Sequence, residues 1–466
     1  MDDEFDVIVI GGGPAGENVV GRCADGGLEV ALVEHELVGG ECSYWGCIPS
    51  KTLIRPGDAL AAVRRVPGAA EAVTGGLDAT AAFARRDYMV NNWADASQAQ
   101  WLEARSATLV RGRGRLGGPR VVDVETADGS HRTLRARRAV VLATGTGPAI
   151  PPIEGLRDIS PWDNRDITAA KELPRRLLVL GGGAIGAEMA QAFKRLGCDQ
   201  VTIVEALDRL LANEEPFAGE EVRTAFEAEG ITVIVGSRMT AARGAGPDGT
   251  VVAVLEDGRE LTADEILVAV GRRPKTSDVG LDRVGLAEKA GRYADVDDRL
   301  RVLGVDGDWL YAVGDCNGRA LLTHMGKYQG RLCGDVILGR EATDVASNRI
   351  VPRVTFTDPQ VCAVGRTERQ ARDEGLDVRS VAYPTGDVPG AYTLGEGVSG
   401  TSQLVVDQRR RTLVGATFTG PGIQELLHSA TIAIAGQVTL DQLWHAVPAF
   451  PTVSEVWLHL LEAYGL

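Results

Sequence analysis

Two thiols carry the most distinctive chemistry in this chain. Cys42 and Cys47 are separated by four residues within Gly39-Gly40-Glu41-Cys42-Ser43-Tyr44-Trp45-Gly46-Cys47-Ile48-Pro49-Ser50-Lys51. Two close thiols can alternate between dithiol and disulfide and so carry two electrons, whereas a lone buried cysteine is a common packing residue. The flanking glycine pair and Pro-Ser-Lys segment favour a redox pair. The chain has seven cysteines in 466 residues, too few for a disulfide framework. In a reducing compartment such a pair is catalytic rather than structural.

The elements that position these thiols begin upstream. The apolar, β-branched run Asp6–Ile10 is followed by Gly11-Gly12-Gly13-Pro14-Ala15-Gly16 and by a helical stretch, Glu17–Ala24. Gly11, Gly13 and Gly16 have the G-x-G-x-x-G spacing, which permits a tight turn, close approach of a pyrophosphate to backbone amides, and close helix packing. A second strand, Val30–Val33, ends at Glu34, where a carboxylate can accept ribose hydroxyls. Arg55–Ala107 reads mainly as helices, and Leu109–Val141 as short strands and turns. The apolar strand Ala139–Leu142 then runs into Ala143-Thr144-Gly145, a small-residue turn that lets backbone approach a ligand.

After the Pro-rich linker Pro148–Pro152 the design repeats. Leu177–Leu180 precedes Gly181, Gly183 and Gly186 at the same spacing, with Glu188 in the following helix, and the strand Val201–Val204 ends at Glu205. A carboxylate here accepts from a free 2′-hydroxyl and repels a 2′-phosphate, so NADH is expected and NADPH is less favoured, with Arg209 the opposing feature. Ile266–Ala269 leads to Gly271-Arg272-Arg273-Pro274, the exit from the second domain. Trp309–Val313 delivers Gly314 and Asp315, with Asp315 either a buried ion-paired carboxylate or a hydrogen-bond partner for a cofactor polyol. Thr323 is expected to cap the next helix, Met325–Leu338, whose N-terminus suits negative charge. From about Ile350 strands (351–356, 361–364, 402–406, 412–419) precede helices near 423–436 and 453–463.

A formal charge of -15 disfavours nucleic acid and anionic membranes as partners. The acidic start lacks a signal-peptide pattern, and no apolar run approaches the roughly 20 residues of a membrane span, so no membrane insertion and a cytoplasmic location are expected. No metal-ligand cluster is expected.

The two fingerprints, the cysteine stretch, Ala143-Thr144-Gly145, Val313-Gly314-Asp315 and Phe356-Thr357-Asp358-Pro359 occur in an order that resembles the flavoprotein disulfide reductases. That family includes glutathione reductase, dihydrolipoamide dehydrogenase and mercuric reductase. The resemblance covers essentially the whole chain. It implies an α/β protein with two Rossmann-like dinucleotide-binding domains and a C-terminal α+β dimerisation domain. The division expected is 1–150 and 273–345 for FAD, 151–272 for NAD(H), and 346–466 for a homodimer interface. By position it implies that Cys47 faces the flavin and Cys42 the substrate. It further implies that Lys51 and Glu188 form an ion pair near the flavin N5 edge and that Asp315 contacts the polyol. A Lys51 cation and a helix N-terminus would lower the Cys47 thiol pKa.

The resemblance has a break. Where the disulfide reductases have a general-base His followed five residues later by Glu, this chain has Phe450-Pro451-Thr452-Val453-Ser454-Glu455. Loss of a positioned base typically costs about 10²–10⁴-fold in rate. His445 is a substitute base or a packing residue. His324 lies near the flavin pyrimidine edge or in solvent. Tyr44 and Trp45 either narrow the disulfide face or offer a stacking surface for a flat acceptor. There is no terminal cysteine pair of the mercuric reductase kind. The expected activity is therefore NADH-dependent flavoprotein oxidation with a small-molecule acceptor needing no histidine base, such as a quinone, a dye-like carrier or a metal ion. The alternatives are a dihydrolipoamide dehydrogenase-type reductase using His445 or water, and a non-catalytic flavoprotein binding subunit.

Overall fold

The β-branched run at the start becomes β1 (Asp3–Ile10), whose last four residues are buried. The computed structural model describes residues 3–244 and 249–466, so Met1 and Asp2 of the acidic start lie outside the described residues. After the glycine turn comes α1 (Pro14–Asp25), with Pro14 in its first turn, where a missing N–H costs nothing. β2 (Val30–Glu34) is buried throughout. The dithiol segment forms α2 (Gly40–Tyr44) and opens α3 (Cys47–Arg64), and the helical stretch continues as α4 (Ala79–Met89) and α5 (Ala96–Glu103). The strand-rich stretch becomes β3 (Thr108–Arg111), β4 (Arg113–Gly118), β5 (Val121–Glu125) and β6 (His131–Leu142), followed by β7 (Thr146–Pro148) at the start of the Pro-rich linker.

The second fingerprint folds into α6 (Asn164–Ala169), β8 (Arg176–Leu180), α7 (Ala184–Leu196), β9 (Gln200–Val204), α8 (Pro216–Ala228) and β10 (Ile231–Ile234). β11 (Met239–Gly244), β12 (Val251–Leu255), β13 (Glu260–Ala263) and β14 (Glu265–Val268) complete this region. The return segment holds β15 (Arg272–Pro274), β16 (Leu310–Ala312) and α9 (Thr323–Ile337). The C-terminal part has β17 (Arg353–Thr355), β18 (Gln360–Gly365), α10 (Glu368–Asp373), β19 (Val378–Pro384), α11 (Pro389–Tyr392), β20 (Thr401–Asp407) and β21 (Thr412–Gly420). α12 (Leu427–Ala435), α13 (Leu440–Leu443) and α14 (Val456–Tyr464) end the chain. The sequence pattern missed β19, whose alternation is broken by charged and polar residues (Val378-Arg379-Ser380-Val381).

The chain forms two compact units. One gathers the residues up to Pro49 with Asp87–Pro148 and Arg272–Asn348. Its sheet runs β3-β2-β1-β6-β5-β4, with β16 also on β6. β1 pairs in parallel with both β2 and β6, the pattern of a sheet covered on both faces, and the paired runs Val7–Ile10, Val30–Val33 and Ala139–Leu142 are accordingly apolar at every position. α9 packs closely on α1 because Gly330 has no side chain: a Cβ there would stand 2.4 Å from the Ala15 carbonyl oxygen.

The other unit gathers Ser50–Arg86, Ala149–Gly271 and Arg349–Leu466. It contains the parallel sheet β10-β9-β8-β14, the antiparallel sheet β11-β12-β13, and the antiparallel sheet β17-β18-β21-β20-β19. α7 joins the first of these to the C-terminal part through one polar face. Glu188, Gln191 and Arg195 recur at helical spacing and grip the segment after β17: Phe356 N–H donates to Glu188 Oε1 at 2.9 Å, Asp358 N–H to Gln191 Oε1 at 2.8 Å, and Arg195 Nη2 to Asp358 Oδ2 at 2.8 Å. Burial opposes charge on Asp358, but Arg195 and Arg65 outweigh it and hold the carboxyl below the usual range.

Candidate active site

The two fingerprints fold to the same geometry. In the first, Gly12 N–H donates to Glu34 Oε2 at 2.7 Å and Glu36 N–H to Glu34 Oε1 at 2.7 Å. In the second, Gly182 N–H donates to Glu205 Oε2 at 2.6 Å and Leu207 N–H to Glu205 Oε1 at 2.8 Å. Burial pushes the Glu34 carboxyl up, but hydrogen bonds from His35 and the Glu36 and Gly12 amides prevail and hold it below the ordinary value. A Cβ at Gly16 would stand 2.0 Å from the Gly11 carbonyl oxygen, and one at Gly186 would stand 2.0 Å from that of Gly181. At Gly13 and Gly183 a Cβ would meet nothing within 4 Å, so the backbone is open where a pyrophosphate must come close. Glycine is required at the first pair and leaves a cradle at the second. The residues present therefore fit two dinucleotides.

The turns expected at the cofactor lie against these loops. The Ala143 carbonyl that leads into Thr144 and Gly145 faces Gly11, and the Ala269 carbonyl two residues before Gly271 faces Gly181. Asp315 follows β16 in a tight turn opened by Gly314, and it accepts from Thr146 Oγ1 at 2.8 Å. Burial raises its pKa, with Thr146 and Arg272 opposing.

Cys42 lies in α2 and Cys47 opens α3, and both are free thiols. The neighbouring Cys47 sulfur together with burial raises the Cys42 pKa far above the ordinary value. Cys47 Sγ stands 3.4 Å from Thr323 Oγ1. Thr323 does not cap α9, as its sequence position suggested: Leu322 is the N-cap residue, and the Thr323 hydroxyl turns to the thiol instead. Tyr44 does not offer a stacking surface either. It is 1% exposed, its hydroxyl donates to the Val38 carbonyl at 3.1 Å, and only Trp45 of the two rings is half-exposed. Lys51 Nζ meets Glu188 Oε2 at 2.6 Å and lies 4.9 Å from the Phe356 ring centroid.

At the C-terminal end Phe450 is 71% exposed. Glu455 keeps an enclosed carboxylate oxygen, Oε2, that has no hydrogen-bond partner among the described residues. His445 and His324 are both exposed.

Two dinucleotide cradles and a dithiol define the class: a flavin- and nicotinamide-dependent oxidoreductase with a redox-active cysteine pair. Residues 5–330 match the pyridine nucleotide-disulphide oxidoreductase family, and residues 351–461 match the dimerisation domain of the same family. The chain belongs to that family and is an oxidoreductase of the class I flavoprotein disulfide reductase type. It is 33% identical to dihydrolipoyl dehydrogenase of Mycobacterium leprae, over 97% of this chain and 96% of the relative. It is also 33% identical to mercuric reductase of Acidithiobacillus ferrooxidans, over 97% of this chain and 81% of the relative. Among solved structures it resembles the Cu(II) complex of the HOCl-induced flavoprotein disulfide reductase RclA from Escherichia coli. The TM-score is 0.86 at 25% identity, over 99% of both chains. The family is FAD-dependent and uses pyridine nucleotides, and the matched dimerisation domain supports a homodimer. Among the described residues no helix is long and apolar enough to cross a membrane.

Proposed function

We propose that this protein oxidises NADH and passes two electrons through the Cys42–Cys47 pair to an acceptor that needs no histidine base, a quinone first among the candidates. The observation that carries the reading is Phe450: an exposed, non-titratable ring stands where the family's base is expected, while Glu455 keeps an enclosed oxygen without a partner among the described residues. Gly11, Gly13, Gly16, Glu34, Thr144, Gly145, Gly314 and Asp315 would hold FAD. Gly181, Gly183, Gly186, Glu205 and Gly271 would hold the nicotinamide cofactor. When bound, FAD supplies the two-electron relay between nicotinamide and dithiol. The domain division is proposed as 1–150 with 273–345, 151–272 and 346–466.

The chain's own groups act as follows. Cys47 at the start of α3 has a helix N-terminus beside it, which favours thiolate, and Thr323 Oγ1 is within reach to hydrogen-bond that sulfur. Cys42, with its raised pKa, keeps its proton until electrons leave. Glu188 holds the Lys51 ammonium in place, so one cation is fixed a helical turn beyond Cys47. NADH is favoured because both Glu205 oxygens are anchored by backbone amides, while Arg209 is turned to Asp208 and the Ala212 carbonyl. A metal ion is a second acceptor class, supported by the likeness to RclA, which has been solved as a Cu(II) complex.

The test is NADH oxidation by FAD-loaded protein with benzoquinone, Cu(II), lipoamide or glutathione disulfide in parallel. Fast quinone turnover with negligible disulfide turnover is expected. Fast disulfide turnover would overturn the reading and make His445 the next residue to substitute.

A further inference from the structure

The residue before the first redox cysteine is a carboxylate, Glu41, and no step described so far uses it. α2 opens against the first cradle: a Cβ at Gly40 would stand 2.8 Å from Gly13 Cα. Glu41, the next residue, meets two cations of the return segment. Its Oε2 lies 3.4 Å from Arg272 Nη2 and its Oε1 3.6 Å from Lys275 Nζ. The Glu41 side chain is 22% exposed, so solvent screens this pairing only in part. All of these residues belong to the first compact unit.

Arg272 serves a second partner. Its Nε donates to Thr146 Oγ1 at 2.7 Å and its Nη2 to the Thr146 carbonyl at 2.9 Å. A guanidinium can only donate, so the Thr146 hydroxyl accepts there and has one proton left to give. That proton goes to Asp315 Oδ2 at 2.8 Å. The direction of the chain from Arg272 through Thr146 to Asp315 is thereby fixed. Among the described residues the Asp315 carboxylate has no other hydrogen bond, which leaves Oδ1 for a cofactor hydroxyl.

The charged groups that face Asp315 are Arg272 and Glu41, and the Tyr293 phenol borders it. Burial raises the Asp315 pKa, Thr146 and Arg272 oppose this, and the Glu41 charge adds to it. Burial and the Asp315 charge raise the Tyr293 pKa as well, so the phenol stays neutral, and its hydroxyl donates to the Arg272 carbonyl at 3.4 Å. Two carboxylates thus share one guanidinium, Glu41 directly and Asp315 through a hydroxyl. A guanidinium relieved of Glu41 would turn to Asp315, and a direct ion pair there would take an oxygen that a cofactor hydroxyl needs.

We propose that Glu41 is a positioning residue of the flavin site: it holds Arg272 off Asp315, so that the Asp315 carboxylate stays open to the polyol. The proposal rests on the reading of Asp315 as the polyol contact. The residue beside Cys42 then sets how tightly the cofactor is gripped.

The experiment is the FAD dissociation constant of the holoenzyme, read from flavin fluorescence on dilution, for wild type, E41Q, E41D and D315N between about pH 4.5 and 8.5. Wild type should lose affinity on the acid side as Asp315 takes up a proton, because the ionised carboxylate is the stronger acceptor. D315N should weaken FAD binding by about 10-fold or more at the alkaline end and lack that acid limb. E41Q should weaken it by about 10-fold and move the limb to lower pH, since a like charge is gone and Arg272 pairs with Asp315. E41D keeps the charge and should keep the wild-type limb. If D315N behaves as expected, then E41Q with wild-type affinity, or with weaker affinity and an unmoved limb, overturns the role of Glu41 and leaves the polyol reading standing. Wild-type affinity in D315N overturns the polyol reading and the role of Glu41 with it.

Discussion

On the proposed reading, Phe450 and Glu455 stand where the family's base and its orienting carboxylate are expected. A carboxylate five residues downstream is useful for orienting an imidazole, and here its enclosed Oε2 has no partner among the described residues. Phe450→His should therefore create a base with its orienting group in place, and lipoamide turnover should rise by about 10²-fold or more. Steady-state kcat with lipoamide checks this, and no rise would mean that Glu455 cannot be reached from position 450. Glu205 anchors its loop through the Gly182 and Leu207 amides, and its role in cofactor choice is a second residue-scale test. Glu205→Arg should shift the kcat/KM ratio towards NADPH by about 10–100-fold, the value of one charge-assisted hydrogen bond at roughly 1.5–3 kcal/mol. An unaltered ratio would reduce Glu205 to an anchor for its loop.

At the scale of elements, α7 is the connector. Its polar face takes the backbone and carboxylate of the segment 356–358, and Arg195 also pairs with Glu229 at 2.6 Å and Asp58 at 3.3 Å. Asp358 is 7% exposed, so Asp358→Asn leaves Arg195 and Arg65 with less compensation in a buried place and should cost about 3–5 kcal/mol near pH 7. Because the folded-state pKa of Asp358 is depressed, its contribution is present above the ordinary carboxylate range and is lost as pH falls through the folded value. The Tm difference between wild type and D358N should accordingly be large at pH 7 and close below about pH 4. A difference independent of pH would show that packing, not charge, holds the segment.

For the whole molecule, the matched dimerisation domain carries apolar side chains that the single chain leaves open: Val447 is 84% exposed, Phe450 71% and Ile432 56%. In a two-fold dimer each substitution is counted twice. Val447→Asp should weaken the dimer by about 10²-fold or more, since a buried Val is worth roughly 1.5 kcal/mol or more per copy. Sedimentation over a concentration series reads this directly. A dimer constant unchanged by V447D would place the interface on another face of the C-terminal domain.

The fold was largely legible because its signals are local. Strand, glycine turn, helix and terminal acid lie within 29 consecutive residues each time, Asp6–Glu34 and Leu177–Glu205, and a Cβ at Gly16 or Gly186 is forbidden by atoms of the same loop. Cys42 and Cys47 could be singled out for the same reason, since they lie within one short segment. Three things were decided only by tertiary structure. Tyr44 stands between the two cysteines in sequence, yet it is buried, and its hydroxyl reaches the Ala94 carbonyl at 3.4 Å, 50 positions away in the chain. Thr323 follows the sequence rule for a cap, but a thiol 276 positions away in the chain takes its hydroxyl. Glu17 looks like an ordinary helix residue until α5 and α9 close over it and place Lys327 nearby, because burial and field depend on neighbours that sequence spacing does not reveal.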